Sequence, residues 1–424
     1  MSEAPLEPFD VFVGAASFQD ILQAFDQLCA FHQLDQWDHA NFYSRIKSEV
    51  TSWKAKKLWA LLDKRATQKE YRKQKVCQNL RVLVIGAGPC GLRAAIECAL
   101  LGARTVLVEK RDSFSRNNVL HIWPFVINDL RMLGAKIFYP KFCAGSIDHI
   151  SIIQLQCILL KTALVLGVDV NAGVSFEQLI APSHGWGWRA SYDPPGHYLC
   201  EFEFDAIVGA DGKQNSLPGF PRRELRGKLA IGITANFINR KTHAEERVPE
   251  ISGVAFIFNQ QFFKDMRDQA GIDLENIVYY KDETHYFVMC AKKQSLLDKG
   301  VLLQDLDDVQ SLLSAANIDY SKLCAYSHDA ADFATEGGLP TLEFALNSQG
   351  QADVAVFDFT SLFTALNSCR LMHRDGRRLL MAIVGDSLHE PLWPTGSGCA
   401  RGFLGVLDTA WMLRNYCLSK PKTF

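Results

Sequence analysis

The stretch RVLVIGAGPCGLRAAIECALLGARTVLVEKR, residues 81–111, decides the fold. It reads as an apolar strand, a glycine turn, a helix and a second strand ending at Glu109. Gly86 permits the sharp turn out of the strand, Gly88 lets a backbone approach a pyrophosphate, and Gly91 lets the helix pack closely on the sheet. Phosphates then sit at the helix N-terminus, where free N–H groups and the helix dipole favour anions. Glu109 lies 18 residues past Gly91, the reach of a carboxylate that accepts ribose hydroxyls. A lone glycine fingerprint is weak. Here Arg81–Ile85 precedes it, a helical pattern follows, and an acid closes the next strand, so the unit predicts a dinucleotide site.

Two later segments bear on which dinucleotide. FEFDAIVGADGKQNS (202–216) is a strand running into Asp211-Gly212. RLLMAIVGDSLHEPLWPTGSGCARGFLGVLDTAWML (378–413) is a strand, then Gly385-Asp386, a Pro-rich loop, a Gly-rich turn and a long helix starting near Gly398. A nicotinamide dehydrogenase needs neither. A carboxylate such as Asp386 can accept from a ribityl hydroxyl, and a helix N-terminus can face the flavin atoms that become anionic on reduction. In order and spacing the three segments resemble the FAD signature of class A flavin monooxygenases.

The likeness is closer still to the flavin monooxygenase domain of the MICAL family. It rests on phrases such as EKRDSFSRNNVLHIWPF, KFCAGSIDHISI, RGKLAIGITANFINR, GIDLENIVYYKDETHYFVM, AADFAT and VGDSLHEPLWPTGSGCARGF, and covers nearly the whole chain. The resemblance implies an α/β fold. A Rossmann-like FAD-binding domain of the class A hydroxylase type would carry an antiparallel-sheet substrate domain and N-terminal helices. It also implies FAD, NADPH and O2 as reactants, methionines of filamentous actin as substrate, and filament disassembly as outcome. Alternatives are an NADPH oxidase producing hydrogen peroxide, a hydroxylase of small aromatics, and a flavin-binding actin-interaction module with little or no turnover.

By the same resemblance Gly86, Gly88, Cys90 and Gly91 face the pyrophosphate. Glu109, Lys110 and Arg111 reach the adenosine part, and Arg116, Asn117 and Asn118 lie beside the phosphates and flavin. Phe176 sits near the adenine, Tyr286 near the flavin ring and Asp386 on the ribityl chain. Trp393 lines the substrate entrance, where an aromatic wall holds a thioether through sulfur–ring contacts. Cys90 opens a helix, a place that lowers a thiol pKa, but is read as a backbone contact. A thioether is itself a nucleophile, so no acid–base triad is expected. The chain departs from the family pattern at Ile153, Lys213 and Gln214, where arginines are usual, and at Leu392 and Ser397.

Composition fits this reading. The 424 residues suffice for more than one domain, and a net charge of −2 argues against a general polyanion binder such as one for nucleic acid. No apolar run approaches the roughly 18–20 residues of a membrane span. The twelve cysteines show no CxxC pair, and His121, His149, His285 and His389 show no metal-ligand spacing. Both point to reduced thiols in a cytoplasmic or nuclear protein without a metal, and the resemblance adds association with the cytoskeleton. Residues 1–79 read as a helical segment, 80–226 and 375–424 as the FAD-binding domain, and 227–374 as the substrate-side domain. Periodicity predicts helices near 18–28, 41–64, 295–316 and 320–334, and strands over Leu229–Phe237, Gly253–Asn259 and Thr284–Ala291. Residues 54–75 hold nine Lys or Arg against Asp63 and Glu70. That is a solvated face, or one turned to an acidic protein or to NADPH phosphates.

Overall fold

A computed structural model describes residues 7–143, 147–227, 229–255, 259–391 and 396–419. Its centre is a six-stranded sheet in the order Cys369–Arg374, Arg377–Ile383, Ala206–Gly209, Arg81–Ile85, Arg104–Glu109, Asp169–Ala172. All neighbours are parallel except the edge pair Cys369–Arg374 and Arg377–Ile383. The central strands, Arg81–Ile85, Arg104–Glu109 and Ala206–Gly209, are apolar on both faces because both faces are covered. Val82 and Val84 point into a core shared with the helices Pro89–Leu100, Ile152–Val165 and Gly398–Ser419. Leu83 and Ile85 point the other way, into a core closed by the hairpin Ser175–Ile180/Arg189–Asp193.

From this sheet the chain crosses outward along Arg222–Arg226 and returns along Ser361–Ala365, and the two segments pair antiparallel. Between them lies a five-stranded antiparallel sheet, ordered Ile251–Ala255, Leu274–Lys281, Thr284–Ala291, Ile231–Ile238, Val354–Asp358. Alternation sorts its faces. Ile231, Ile233, Ala235 and Phe237 pack on the helices Gln260–Ala270 and Tyr320–Ala334. The register partners Asn236 and Tyr286 therefore share the opposite face.

The predicted fold class is the observed one. Some element boundaries differ. The helix expected over 41–64 is two, His39–Glu49 and Trp53–Ala66. The Val50 carbonyl is taken by the Trp59 indole N–H at 2.9 Å, and Ser52 caps the second helix by accepting from Ala55 N. The stretch 295–316 holds only Lys293–Asp298, Val309–Leu312 and a short 3-10 turn, Ala315–Asn317. The strand expected over Gly253–Asn259 runs Ile251–Ala255, with 256–258 outside the described residues. Within the basic segment, Lys54 pairs with Asp10, and Arg65 turns inward to Glu97 and Asp129. Gln74 packs against Gly102, beyond the far end of the helix Pro89–Leu100. That end is about 18 Å, twelve residues of rise, from the glycine turn. No helix of the described residues is long and apolar enough to cross a membrane.

Lys161 is an unexpected core residue. Fully buried, it donates to the Val13 carbonyl at 2.7 Å and lies 5.4 and 5.3 Å from the Phe138 and Tyr139 ring centroids. Burial pulls its pKa down to about 8, partly offset by Cys157. The folded state therefore binds fewer protons than the unfolded chain between pH 8 and about 10.5. This contribution to stability is complete above that window and is lost as pH falls through it. Lys161→Met is expected to remove up to about 3 kcal/mol of this pH dependence. Urea midpoints across pH 7–10 check it: the variant's curve should lie above the parent's at neutral pH and flatten toward high pH.

Candidate functional site

Three strands end together. Ile85, Gly209 and Ile383 are in register, so the turns that follow them, Gly86, Ala210 and Val384-Gly385, meet at one sheet edge. Such carboxyl-end edges are where open α/β sheets bind ligands. Gly86 has φ +99°, and a Cβ there would come within 2.7 Å of the Ala210 carbonyl oxygen. A Cβ on Gly91 would sit 1.9 Å from the Gly86 carbonyl oxygen. Both glycines are thus required by the fold itself. Gly88 differs: its φ is −66°, and the nearest atom to an added Cβ is 4.0 Å away. Gly88 is also the N-cap of Pro89–Leu100 and offers no side-chain cap to the first N–H groups. A cradle with donors and open space is what a pyrophosphate needs.

A second helix end reaches the same place. Cys90 lies between Gly385 and Gly402; a Cβ on these glycines would approach its sulfur to 3.0 and 2.5 Å. The helix Gly398–Ser419 thereby brings its N-terminus beside that of Pro89–Leu100. The expected lowering of the Cys90 pKa is corrected here. Burial pushes the thiol well up, with Cys399 and Asp386 adding to it.

Glu109 closes the glycine turn, accepting from Ala87 N at 2.7 Å and from Arg111 N at 3.0 Å. A carboxylate has about four lone-pair sites, so it can still accept ribose hydroxyls. Lys110 donates to Gln214 at 2.6 Å, and Arg111 is exposed. Asp386 is exposed on this edge although crowded by protein groups. The desolvation this crowding causes and then Glu390 push its pKa up, while Arg116, Lys213 and His389 pull it back. Lys213 lies 3.4 Å from Glu390. Asn117 donates to Asp353 at 2.7 Å and Asn118 to the Tyr286 hydroxyl at 3.1 Å, so the loop 110–118 meets the polar face of the second sheet. Tyr286 is 1% exposed and burial raises its phenol pKa, so it stays protonated at neutral pH and is no base there.

The structure brings Gly86, Gly88, Cys90, Gly91, Glu109 and Asp386 to one edge, with Asn117, Asn118 and Tyr286 on its second-sheet side. It does not bring Phe176 to an open surface. That ring is 5% exposed, in the core with Val106, Val108 and Tyr192; two residues before it, the Val174 N–H donates to the Glu109 carbonyl. Trp393 and Leu392 lie outside the described residues. Among the histidines, His149 meets Glu250, His285 meets Tyr279, and His389 bridges Thr364 and Arg401.

Sequence reasoning passed over Ser387, whose hydroxyl donates toward Asp211 at 3.2 Å and the Gly212 carbonyl at 3.0 Å, fastening two of the motifs together. It also missed Gln156, which donates to the Ala87 carbonyl at 2.9 Å, and the pair Asp353 and Asn236. Only Ser387 had a signal, its place directly after Gly385-Asp386.

Comparison with known proteins agrees with this geometry. Residues 81–120 match a family model described as an FAD binding domain, and 229–358 match one described as Mical, Rossman domain. The second match falls on the antiparallel unit rather than on the parallel sheet. The F-actin monooxygenase MICAL2 of Homo sapiens is 59% identical over 418 residues, covering 97% of this chain and 21% of that protein. The protein-methionine sulfoxide oxidase mical3a of Danio rerio is 59% identical over 413 residues, covering 96% and 21%. The chain therefore spans about a fifth of the length of these curated relatives. Among solved structures, a 2-methyl-3-hydroxypyridine-5-carboxylic acid oxygenase mutant is similar in fold, with TM-score 0.51 and 16% identity over 81% of this chain and 83% of that one.

Proposed function

Because the chain belongs to the MICAL family, we propose that it is an FAD- and NADPH-dependent monooxygenase oxidising methionines of filamentous actin to methionine sulfoxide, so promoting filament disassembly. The observation that carries the reading is the convergence, at one sheet edge, of an open glycine cradle, two helix N-termini and the Asp386 turn. The chemistry FAD supplies when bound is acceptance of a hydride from NADPH and transfer of one oxygen atom of O2 to a thioether, the other leaving as water. The chain's own residues do the rest. The cradle and helix ends hold the pyrophosphate, Glu109 accepts from the ribose, Asp386 accepts from the ribityl chain, and Arg116 balances charge beside it. Asn118 and Tyr286 border the ring, and Trp393 positions the methionine. A thioether needs no base, so positioning and exclusion of water remain as the protein's task.

We take 1–79 as the helical segment, 80–226 with 375–424 as the FAD domain, and 227–374 as the substrate-side domain. The protein would act in the cytoplasm, at the cytoskeleton. NADPH consumption with and without filaments, with hydrogen peroxide followed in parallel, tests the reading. Filament-stimulated consumption with sulfoxide formation is expected. Peroxide release unchanged by filaments would make the protein an NADPH oxidase, and no consumption would leave a flavin-binding interaction module.

Trp393→Ala is expected to uncouple the two half-reactions. Reduction by NADPH persists, sulfoxide falls on the order of a hundredfold because the thioether is misplaced, and peroxide rises. Unchanged actin oxidation in that variant would remove Trp393 from the site.

A further inference from the structure

One carboxylate oxygen joins the two sheets at the cofactor loop. Oδ2 of Asp353 accepts from Asn117 at 2.7 Å and from Asn236 at 2.9 Å. Asn117 belongs to the loop leaving the strand Arg104–Glu109, whereas Asn236 sits in the middle of the antiparallel sheet. The Asn236 amide is itself oriented, because its oxygen accepts from the Thr284 hydroxyl at 2.7 Å and its nitrogen is left for Asp353. Asp353 cannot drift. Its N–H donates to the Ala345 carbonyl at 2.7 Å, its carbonyl accepts from Asn236 N at 2.9 Å, and the preceding carbonyl of Ala352 accepts from the Tyr320 hydroxyl. Bonds to the backbone around Asp353 therefore hold this edge of the sheet without its carboxylate, which can take on the link to Asn117.

We propose that Asp353 is a positioning residue for FAD: it acts through Asn117 to hold the loop 110–118 in its binding shape before the cofactor arrives. The inference rests on the FAD reading of the site. Two amide donors facing one acceptor explain the residue type, since an ionised carboxylate accepts more strongly than a neutral group and donates nothing. Consecutive residues explain the effect. With Asn117 tied to Asp353 and Asn118 tied to Tyr286, Arg116 has a fixed neighbour on the side of the second sheet. A loop ordered in advance spares the ligand the cost of ordering it. The second sheet would then set FAD affinity without touching FAD.

The test is titration of apoprotein with FAD, followed by flavin fluorescence quenching, alongside thermal melting of each apoprotein. Asp353→Ala and Asn117→Ala should each weaken FAD binding about tenfold, the worth of one charge-assisted hydrogen bond. The double variant should be no weaker than about tenfold, because both changes cut one link. Asn236→Ala should lower the melting temperature and leave FAD affinity within about threefold. Asp353→Asn keeps an oxygen acceptor and should restore most of the affinity. If Asp353→Ala fails to fold, Asn117→Ala and Asp353→Asn still decide the matter. Unchanged affinity in Asp353→Ala, or losses from Asp353→Ala and Asn117→Ala that multiply, would overturn the proposal. A parent protein that takes up no FAD would overturn the reading of the site, and the proposal with it.

Discussion

Gly88→Val is expected to give a folded protein that retains no FAD. The substitution separates the two roles that glycines play in the turn. At Gly88 the backbone is extended, with φ −66° and ψ 168°, and an added Cβ meets nothing closer than 4.0 Å. The Cβ of a valine therefore fits this backbone without strain and without a close protein neighbour. Its methyl groups instead enter the space in front of the first helix N–H groups. Losing two charge-assisted contacts to a pyrophosphate, at about 1.5–3 kcal/mol each, lowers affinity on the order of a thousandfold or more. Gly91→Ala makes the opposite case, since its Cβ would lie 1.9 Å from the Gly86 carbonyl oxygen and the helix would have to leave the sheet. Visible flavin absorbance per protein and a thermal melt on the same samples check both. A yellow Gly88→Val protein, or a colourless one that has also lost its melting transition, would contradict the assignment of this space to the cofactor.

What could be read in advance was local. The turn at 86–91 is legible because its strand, glycines, helix and acid follow one another within thirty residues. Asp211-Gly212 and Gly385-Asp386 are legible because each directly ends an apolar strand. The strand Leu274–Lys281 was missed although it forms a hairpin with Thr284–Ala291, and so was the edge strand Val354–Asp358. Val354–Asp358 has five residues, and Leu274–Lys281, though eight long, opens with the adjacent polar pair Glu275 and Asn276, which breaks the alternation. Asp353 and Asn236 are 117 residues apart, and no periodicity brings such partners together. The Cys90 thiol shows competing rules: a helix N-terminus stabilises a thiolate, but the packing of Gly385 and Gly402 around the sulfur removes the water that the charge needs. Only the fold shows which effect is larger. Arg93 and Lys161 are the extreme cases, since both are fully buried charged residues in apolar helices, where spacing alone suggests an outward face.

Arg93→Met is expected to cost about 3–5 kcal/mol of folding stability, because it breaks a buried ion cluster rather than removing it whole. Arg93 donates to Asp129 at 2.7 and 3.0 Å and lies 2.7 Å from Glu97. Arg65 pairs with the same two carboxylates at 2.6 and 2.8 Å, and the Tyr71 hydroxyl donates to Glu97 at 2.8 Å. Two cations and two anions thus tie three segments together: Trp53–Ala66 with the turn after it, Pro89–Leu100, and Pro124–Met132. Burial alone would raise both carboxyl pKa values. The guanidinium groups, Arg93 foremost, outweigh it and hold Glu97 and Asp129 below their usual range. With folded pKa values depressed, the cluster's contribution is present above the usual carboxylate range and is lost as pH falls through the folded values. Removing Arg93 leaves Arg65 to serve two buried anions, so one carboxyl is better protonated. The variant's deficit, measured by urea unfolding, should accordingly shrink as pH is lowered from 7 toward 5. A second change decides between charge and packing. In Arg93→Met/Glu97→Met the pair Arg65–Asp129 survives and no unpaired charge remains, so the double variant should be more stable than Arg93→Met alone. A double variant that is weaker by the sum of both single losses would show that the cluster acts through shape. Because Arg93 stands one turn past the N-cap Gly88 that opens the pyrophosphate cradle, Arg93→Met should also loosen FAD retention, and the double variant should recover part of it.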